Sequence, residues 1–448
     1  MKATKRILGA ALSGALLIGA LAGCAETPAD PSSSVSPSPS VSATPSESPS
    51  AAQFGDFDLE TPDVTMALLG IPGDTTVMTV DGAEVNAEEY LYWLGYATEY
   101  VGYYQFGDPA AIDWDMDTGS GTVTEYLINN ARDLAAFNQV IRNQCAARNI
   151  TLTAEEEAEL DQQLADAVES SGGQDAFELA LKQVNRTEAG LRSMYTASNF
   201  LYVDLQNQLF PAQDAASLTA EELAQWAADN GKMQVKHILF KTVDDSGNPL
   251  SDEEIAAAKQ KAEDTLAQLQ ASDDMENLFD QLMNELSEDG RYADGTLGAP
   301  DGYLFGDGEM VQEFEDAAKA LKEHELSGIV ETDYGYHILL RLPVDTEMAR
   351  EAWAEEQSTN ISNQMNEQMT TWMDEADIQT NDTFASIDPK DYYERLAAYR
   401  EQLDAANSAA EGESDGAATA EPSASPAAEG ENDGSATKEP SASPAAEG

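Results

Sequence analysis

Gln234-Val-Lys-His-Ile-Leu-Phe240 and Gly335-Tyr-His-Ile-Leu-Leu-Arg-Leu342 decide the fold. Each is a short apolar run rich in β-branched and aromatic residues, which is the pattern of a buried strand. Between them, Ser251–Leu269, Met275–Leu286 and Met310–Leu321 have the spacing of helices. Ser251 and Glu254 form a capping box at the first of these. A strand, three helices and a closing strand make a small α+β domain with an antiparallel sheet. Each strand carries one histidine, His237 and His337. Two of the three histidines in the chain therefore lie on apolar strands that can be neighbours.

Helices flank this segment on both sides. Capping boxes at Thr153/Glu156 and Thr219/Glu222 start two of them. Leu160, Leu164 and Val168 share one helical face; Phe177, Leu181 and Val184 share another. Val77–Val80, Asp81-Gly82 and Glu84-Val85 predict a short hairpin. Residues 87–104 hold Tyr90, Tyr92, Trp93, Tyr96, Tyr100, Tyr103 and Tyr104 at helical spacing. That stripe reads first as core packing, with an exposed surface for unfolded chains as the second reading. Beyond the domain, Ile361, Met365, Met369 and Trp372 line one helical face, and Asp391–Ala406 predict a last helix. Cys145 lies inside a helical pattern without a neighbouring activating charge, so a buried, inert thiol is expected.

The ends of the chain differ in composition. Lys2, Lys5 and Arg6 precede an apolar run from Ile7 to Leu21, which is short for a membrane span and suits an export leader. It closes on Leu21-Ala22-Gly23-Cys24, which resembles a bacterial lipobox. That resemblance implies cleavage before Cys24 and acylation of its thiol and amine, hence a stable membrane anchor. Residues 25–60 are a Ser/Pro-rich tether. Residues 408–448 are Ala, Glu, Ser, Gly and Pro with a ten-residue repeat at Glu421–Gly430 and Glu439–Gly448, and carry too little apolar surface for a core, so a disordered acidic tail is expected.

The chain has 448 residues and a formal net charge of −60, with 23 Lys and Arg against 83 Asp and Glu. Such a field repels phosphate backbones and excludes nucleic acid as a partner. Two cysteines rule out a disulfide framework and a Cys-rich zinc site. A His-His-Asp metal site is conceivable from residue types, but no fourth ligand is apparent.

Several motifs within 234–343 resemble those of parvulin-type peptidyl-prolyl isomerases. Val235-Lys-His-Ile-Leu239 is similar to the opening strand of that family, and Ser287-Glu288-Asp289 to its Ser-x-(Asp/Cys) element. Gly308-Glu-Met310 with Phe314-Glu-Asp-Ala317 resembles its middle motif. Leu326-Ser327-Gly-Ile-Val330 and Thr332-Asp-Tyr-Gly-Tyr-His-Ile338 resemble its closing motif. The resemblance implies that His237 and His337 are paired behind the active site, with Asp289 facing the prolyl bond and Thr332 in the same network. It also implies that Phe305, Met310 and Phe314 line the proline pocket. One departure stands out. The family carries a Gly-Gly-Asp-Leu-Gly run shortly before its Met. Here Asp294-Gly-Thr-Leu-Gly298 lies too far upstream of Met310, and Gly302-Tyr-Leu-Phe305 occupies the nearer position. His324 stands where the family usually has glycine and is expected on a surface turn. The loop 241–254 holds Asp244, Asp245, Asp252, Glu253 and Glu254 against Lys241 alone, which disfavours a phosphoserine-proline substrate.

The order leader, lipobox, helices, parvulin domain and further helix resembles the extracellular foldase lipoproteins of Gram-positive bacteria. It implies a parvulin-like domain (233–344) inserted in a mostly helical chaperone-like domain built from 61–232 and 345–407. The expected function is cofactor-free cis-trans isomerisation of Xaa-Pro bonds in exported proteins at the outer face of the membrane. The alternative from another class is a holdase in which the isomerase domain is weak or inert. In that case His237 and His337 are satisfied core histidines, and Met310 and Phe314 are plain helix core.

Overall fold

The computed structural model describes residues 54–292 and 295–416. The leader, Cys24, Asp294 and residues 417–448 lie outside the described residues, as does most of the tether. Among the described residues there are seven strands: β1 (Thr76–Val80), β2 (Ala83–Asn86), β3 (Met233–Lys241), β4 (Tyr303–Phe305), β5 (Leu326–Thr332), β6 (Gly335–Leu342) and β7 (Ile378–Thr380).

The larger apolar core is helical, and both flanks of the isomerase-like segment build it. Leu91, Leu94, Leu127, Phe177 and Leu205 from one side meet Met365, Met369, Leu396 and Tyr399 from the other. The helix Val123–Arg148 runs through it, capped at Thr122 and Glu125 by a box that the sequence reading passed over. Three capping boxes expected from sequence, at Thr153, Thr219 and Ser251, are all formed. The hairpin β1–β2 turns at Asp81 and Gly82, both with positive φ, as a two-residue turn between twisted strands requires. β7 adds to β1 through Val80↔Ile378, so a segment after the long helix Thr346–Glu375 closes the same sheet as the N-terminal hairpin. Three residues are too few to show a strand period, which is why the sequence does not announce β7.

Two boundaries move. The end of the predicted tether packs onto the body: Phe57 N–H donates to Gln402 Oε1 at 2.9 Å, and its ring meets Tyr399 at 5.7 Å. Phe54, Phe57 and Leu59 give this end the apolar surface that the Ser/Pro run lacks. At the other end the helix Pro389–Gly416 continues into the stretch assigned to a disordered tail. Its Ala and Glu residues are good helix formers, and extending an existing helix needs no new nucleus. The aromatic stripe divides. Tyr90 and Trp93 are core, whereas Tyr100, Tyr103 and Tyr104 are 40%, 55% and 71% exposed. The change begins in a π-helical turn at Ala97–Gly102, which carries Tyr100 itself.

The second body is the sheet β4-β3-β6-β5, antiparallel throughout. Strand alternation divides its side chains. Ile238, Phe240, Ile338 and Leu340 face the helices Asp252–Gln270 and Met275–Leu286, burying Ala262, Phe279 and Met283. Val235 and Leu339 face the other way, onto Phe305 and Phe314. His237 and His337 share that second face. Phe314 comes from the helix Gln312–Ala320, which begins two residues later than the sequence suggests.

Candidate active site

The register brings the histidines together. On β3 and β6, His237 pairs with Leu339 and Leu239 with His337. The two histidines are therefore diagonal neighbours on one face, within reach of aromatic side chains. Their rings stack at 5.2 Å and 11°, with Nδ1 to Nδ1 at 3.0 Å. On β5, Val330 lies opposite His337 and Thr332 opposite Gly335. Thr332 Oγ1 thereby sits 2.9 Å from His337 Nε2 and accepts from Tyr334 N–H at 3.1 Å.

Asp289 arrives on the loop after the helix Met275–Leu286. β4 pairs with only the first residues of β3, and past its end this loop takes over. Glu288 N–H donates to Leu239 O at 2.9 Å, and Leu239 N–H donates to Ser287 Oγ at 3.1 Å. The anchored loop places Asp289 Oδ2 at 3.0 Å from His237 Nε2. The hydrogen bond from His237, with one from Tyr303, holds the Asp289 carboxyl low, at about 2, against the opposing effect of burial. Burial and the neighbouring His237 push His337 down to about 3.

These facts order the protons. An ionised carboxylate only accepts, so His237 Nε2 carries a hydrogen. In a neutral pair, His237 Nδ1 then accepts from His337 Nδ1–H, and His337 Nε2 accepts from the Thr332 hydroxyl. Every donor in the chain Tyr334–Thr332–His337–His237 points toward Asp289. Aligned bonds of this kind polarise one another. The ring nitrogens of His237 face His337 and Asp289, and no common ligand point remains. Among the described residues no group of three His, Cys, Asp or Glu side chains could hold a metal ion.

An apolar wall adjoins the network. Phe314 stands edge-on to both histidines, at 5.2 Å from His237 and 5.6 Å from His337. Phe305 packs against Phe314 at 5.8 Å, and Met310 is a half-buried member of the same cluster. The structure thus brings together His237, Asp289, Thr332, His337, Phe305, Met310 and Phe314. It also adds Tyr303, which the sequence reading did not single out. The Tyr303 hydroxyl donates to Asp289 Oδ2 at 2.6 Å, and its ring lies 5.7 Å from His237. A register of β4 on β3 was the signal that could have found it. His324 is exposed at a turn with φ +65 and bonds Glu276 at 2.7 Å through Nδ1, away from the network. Cys145 is buried, and burial raises its thiol to about 11.

The segment that carries this geometry has known relatives. Residues 237–342 match the family model described as Rotamase, PPIC-type PPIASE domain. The segment is a parvulin-type peptidyl-prolyl cis-trans isomerase domain. Over 117 residues the chain is 40% identical to peptidyl-prolyl cis-trans isomerase ESS1 of Saccharomyces cerevisiae, covering 25% of this chain and 65% of that one. Over 231 residues it is 29% identical to the foldase protein PrsA of Geobacillus sp. (strain WCH70), covering 50% of this chain and 70% of that protein. A solved structure of peptidylprolyl isomerase PrsA from Bacillus cereus, 22% identical, covers 63% of this chain and 98% of its own, with a TM-score of 0.29.

Proposed function

We propose that this protein is a lipid-anchored extracytoplasmic foldase that isomerises Xaa-Pro bonds in exported polypeptides. The observation that carries the reading is the His337–His237–Asp289 network set against Phe305, Met310 and Phe314. The proline ring enters the apolar wall, and the preceding carbonyl meets Asp289. Amide resonance places negative charge on that oxygen and double-bond character on C–N. Its loss is the larger part of a barrier of about 18–20 kcal/mol. A fixed anion beside the carbonyl disfavours the charge-separated form and so favours the twisted state. His237, His337 and Thr332 act as positioning groups that keep the anion in place. No covalent intermediate and no cofactor enters this scheme.

The domain boundaries given above belong to the proposal. So do cleavage before Cys24, acylation of that residue, and placement on the outer membrane face. Clients are unfolded or folding exported proteins, and the net charge of −60 argues against nucleic acid. Holdase activity in the helical body is the second reading, favoured by the exposed Tyr100, Tyr103 and Tyr104. Isomerisation of an unphosphorylated Ala-Pro peptide tests the main reading. Suppression of aggregation without that activity supports the second.

A further inference from the structure

Tyr303 enters the site because Gly302 precedes it. Gly302 has φ +84, and a Cβ there would lie 2.5 Å from Val235 O. Only glycine lets the chain pass so close to β3 in this conformation. The register that follows puts Tyr303 opposite Val235. Val235 and His237 are two residues apart on β3, hence on one face. Tyr303 therefore lies on the histidine face, and its hydroxyl reaches the acid.

The hydrogen bonds on Asp289 are unevenly shared. Oδ2 receives His237 Nε2–H at 3.0 Å and the Tyr303 hydroxyl at 2.6 Å. Oδ1 has no hydrogen bond to any described residue. Two donors on one oxygen restrict rotation of the carboxylate more than one donor does. Among the described residues they leave Oδ1 without a donor of its own. The hydroxyl stays a donor, because burial and the adjacent carboxylate both push the Tyr303 phenol well above its ordinary range.

The geometry points to Tyr303 as a positioning residue of the isomerase, one that acts through Asp289 by pinning its carboxylate so that Oδ1 faces the prolyl bond. The inference rests on the role proposed above for Asp289. It also gives a physical sense to the departure from the glycine-rich run of similar domains. Where that run is displaced, Gly302-Tyr303 supplies a second donor to the acid.

A double-mutant cycle on the full chain tests it, with Tyr303→Phe, Asp289→Ala, the double variant and the wild type assayed on an Ala-Pro peptide. Near-ultraviolet circular dichroism checks packing, and Asp289→Leu, which has a similar shape and no acceptor, replaces Asp289→Ala if the latter fails to fold. Tyr303→Phe keeps the ring and removes only the hydroxyl. The expected result is a loss of roughly tenfold in kcat/KM, carried by kcat with KM little changed. In the Asp289 background the same substitution then costs nothing further. An equal loss in both backgrounds would show that the tyrosine acts on substrate or packing by itself, and overturns the inference. So does an unchanged Tyr303→Phe variant. An inactive, well-folded wild type overturns the isomerase reading and this inference together, which separates that failure from the other two.

Discussion

His237 and His337 meet Nδ1 to Nδ1 at 3.0 Å, with ring planes 11° apart. One hydrogen fits between these two nitrogens. One ring must therefore donate and the other accept, and the pair cannot hold a proton on both facing atoms. His337 is 4% exposed, so it is the ring with the least access to water of the three groups in the network.

That burial sets a pH dependence of stability. His337 titrates near 3 in the folded chain and near 6.5 when unfolded. Between these values the unfolded chain binds the extra proton, so stability falls as the pH drops below 6.5. From pH 6.5 to 5 the loss attributable to this group is on the order of 2 kcal/mol. Urea unfolding at both pH values should show it in the wild type and much less of it in His337→Asn. An identical slope in the variant contradicts the assignment.

Asp289→Asn keeps the side-chain shape and removes the charge. If the anion favours the twisted amide by disfavouring the charge-separated one, kcat falls by at least tenfold while peptide affinity holds or rises. Stopped isomerisation assays with matched peptide-binding measurements check this. A fall in affinity with kcat intact would place Asp289 in binding only.

Phe314 and Met310 should separate. Phe314 is buried against both histidines, so Phe314→Ala costs about 3–5 kcal/mol of stability as well as activity. Met310 is half-buried, and Met310→Ala should raise KM with little change in the thermal midpoint. The reverse order would mean that Met310 is core and Phe314 the contact with proline.

The proposed lipid anchor makes a prediction independent of catalysis. Cys24→Ser should release the protein from the membrane fraction into the medium, and metabolic labelling with a fatty acid should disappear with it. Retention of a labelled Cys24→Ser protein on the membrane would contradict the lipobox reading.

Much of this was legible in the sequence because β3 and β6 are buried on both faces and so read as continuous apolar runs. His237 and His337 stand among apolar residues on such strands, and the motifs around Asp289 and Thr332 fix what lies near them. Helix starts were equally plain, since Thr219 with Glu222 and Ser251 with Glu254 satisfy helix-end donors locally. Tyr303 was not legible. It stands in a three-residue strand whose register depends on Gly302 touching Val235 O, a long-range contact with no local period. β7 was hidden for the same reason. The tether's end was misplaced because Phe54, Phe57 and Leu59 are too sparse to show a pattern, yet Phe57 finds Tyr399 and Gln402 nearly 350 positions away, and the Phe54 ring packs under Arg395.

In the proposed reading the network and its apolar wall isomerise a prolyl bond. The most direct measurement is the cis-to-trans rate of an unphosphorylated Ala-Pro peptide with the full chain and with an Asp289→Ala, Met310→Ala double variant. The wild type should accelerate the reaction clearly, and a double variant that remains folded should not. A folded wild type that leaves the rate unchanged, across several residues before proline, would contradict that reading.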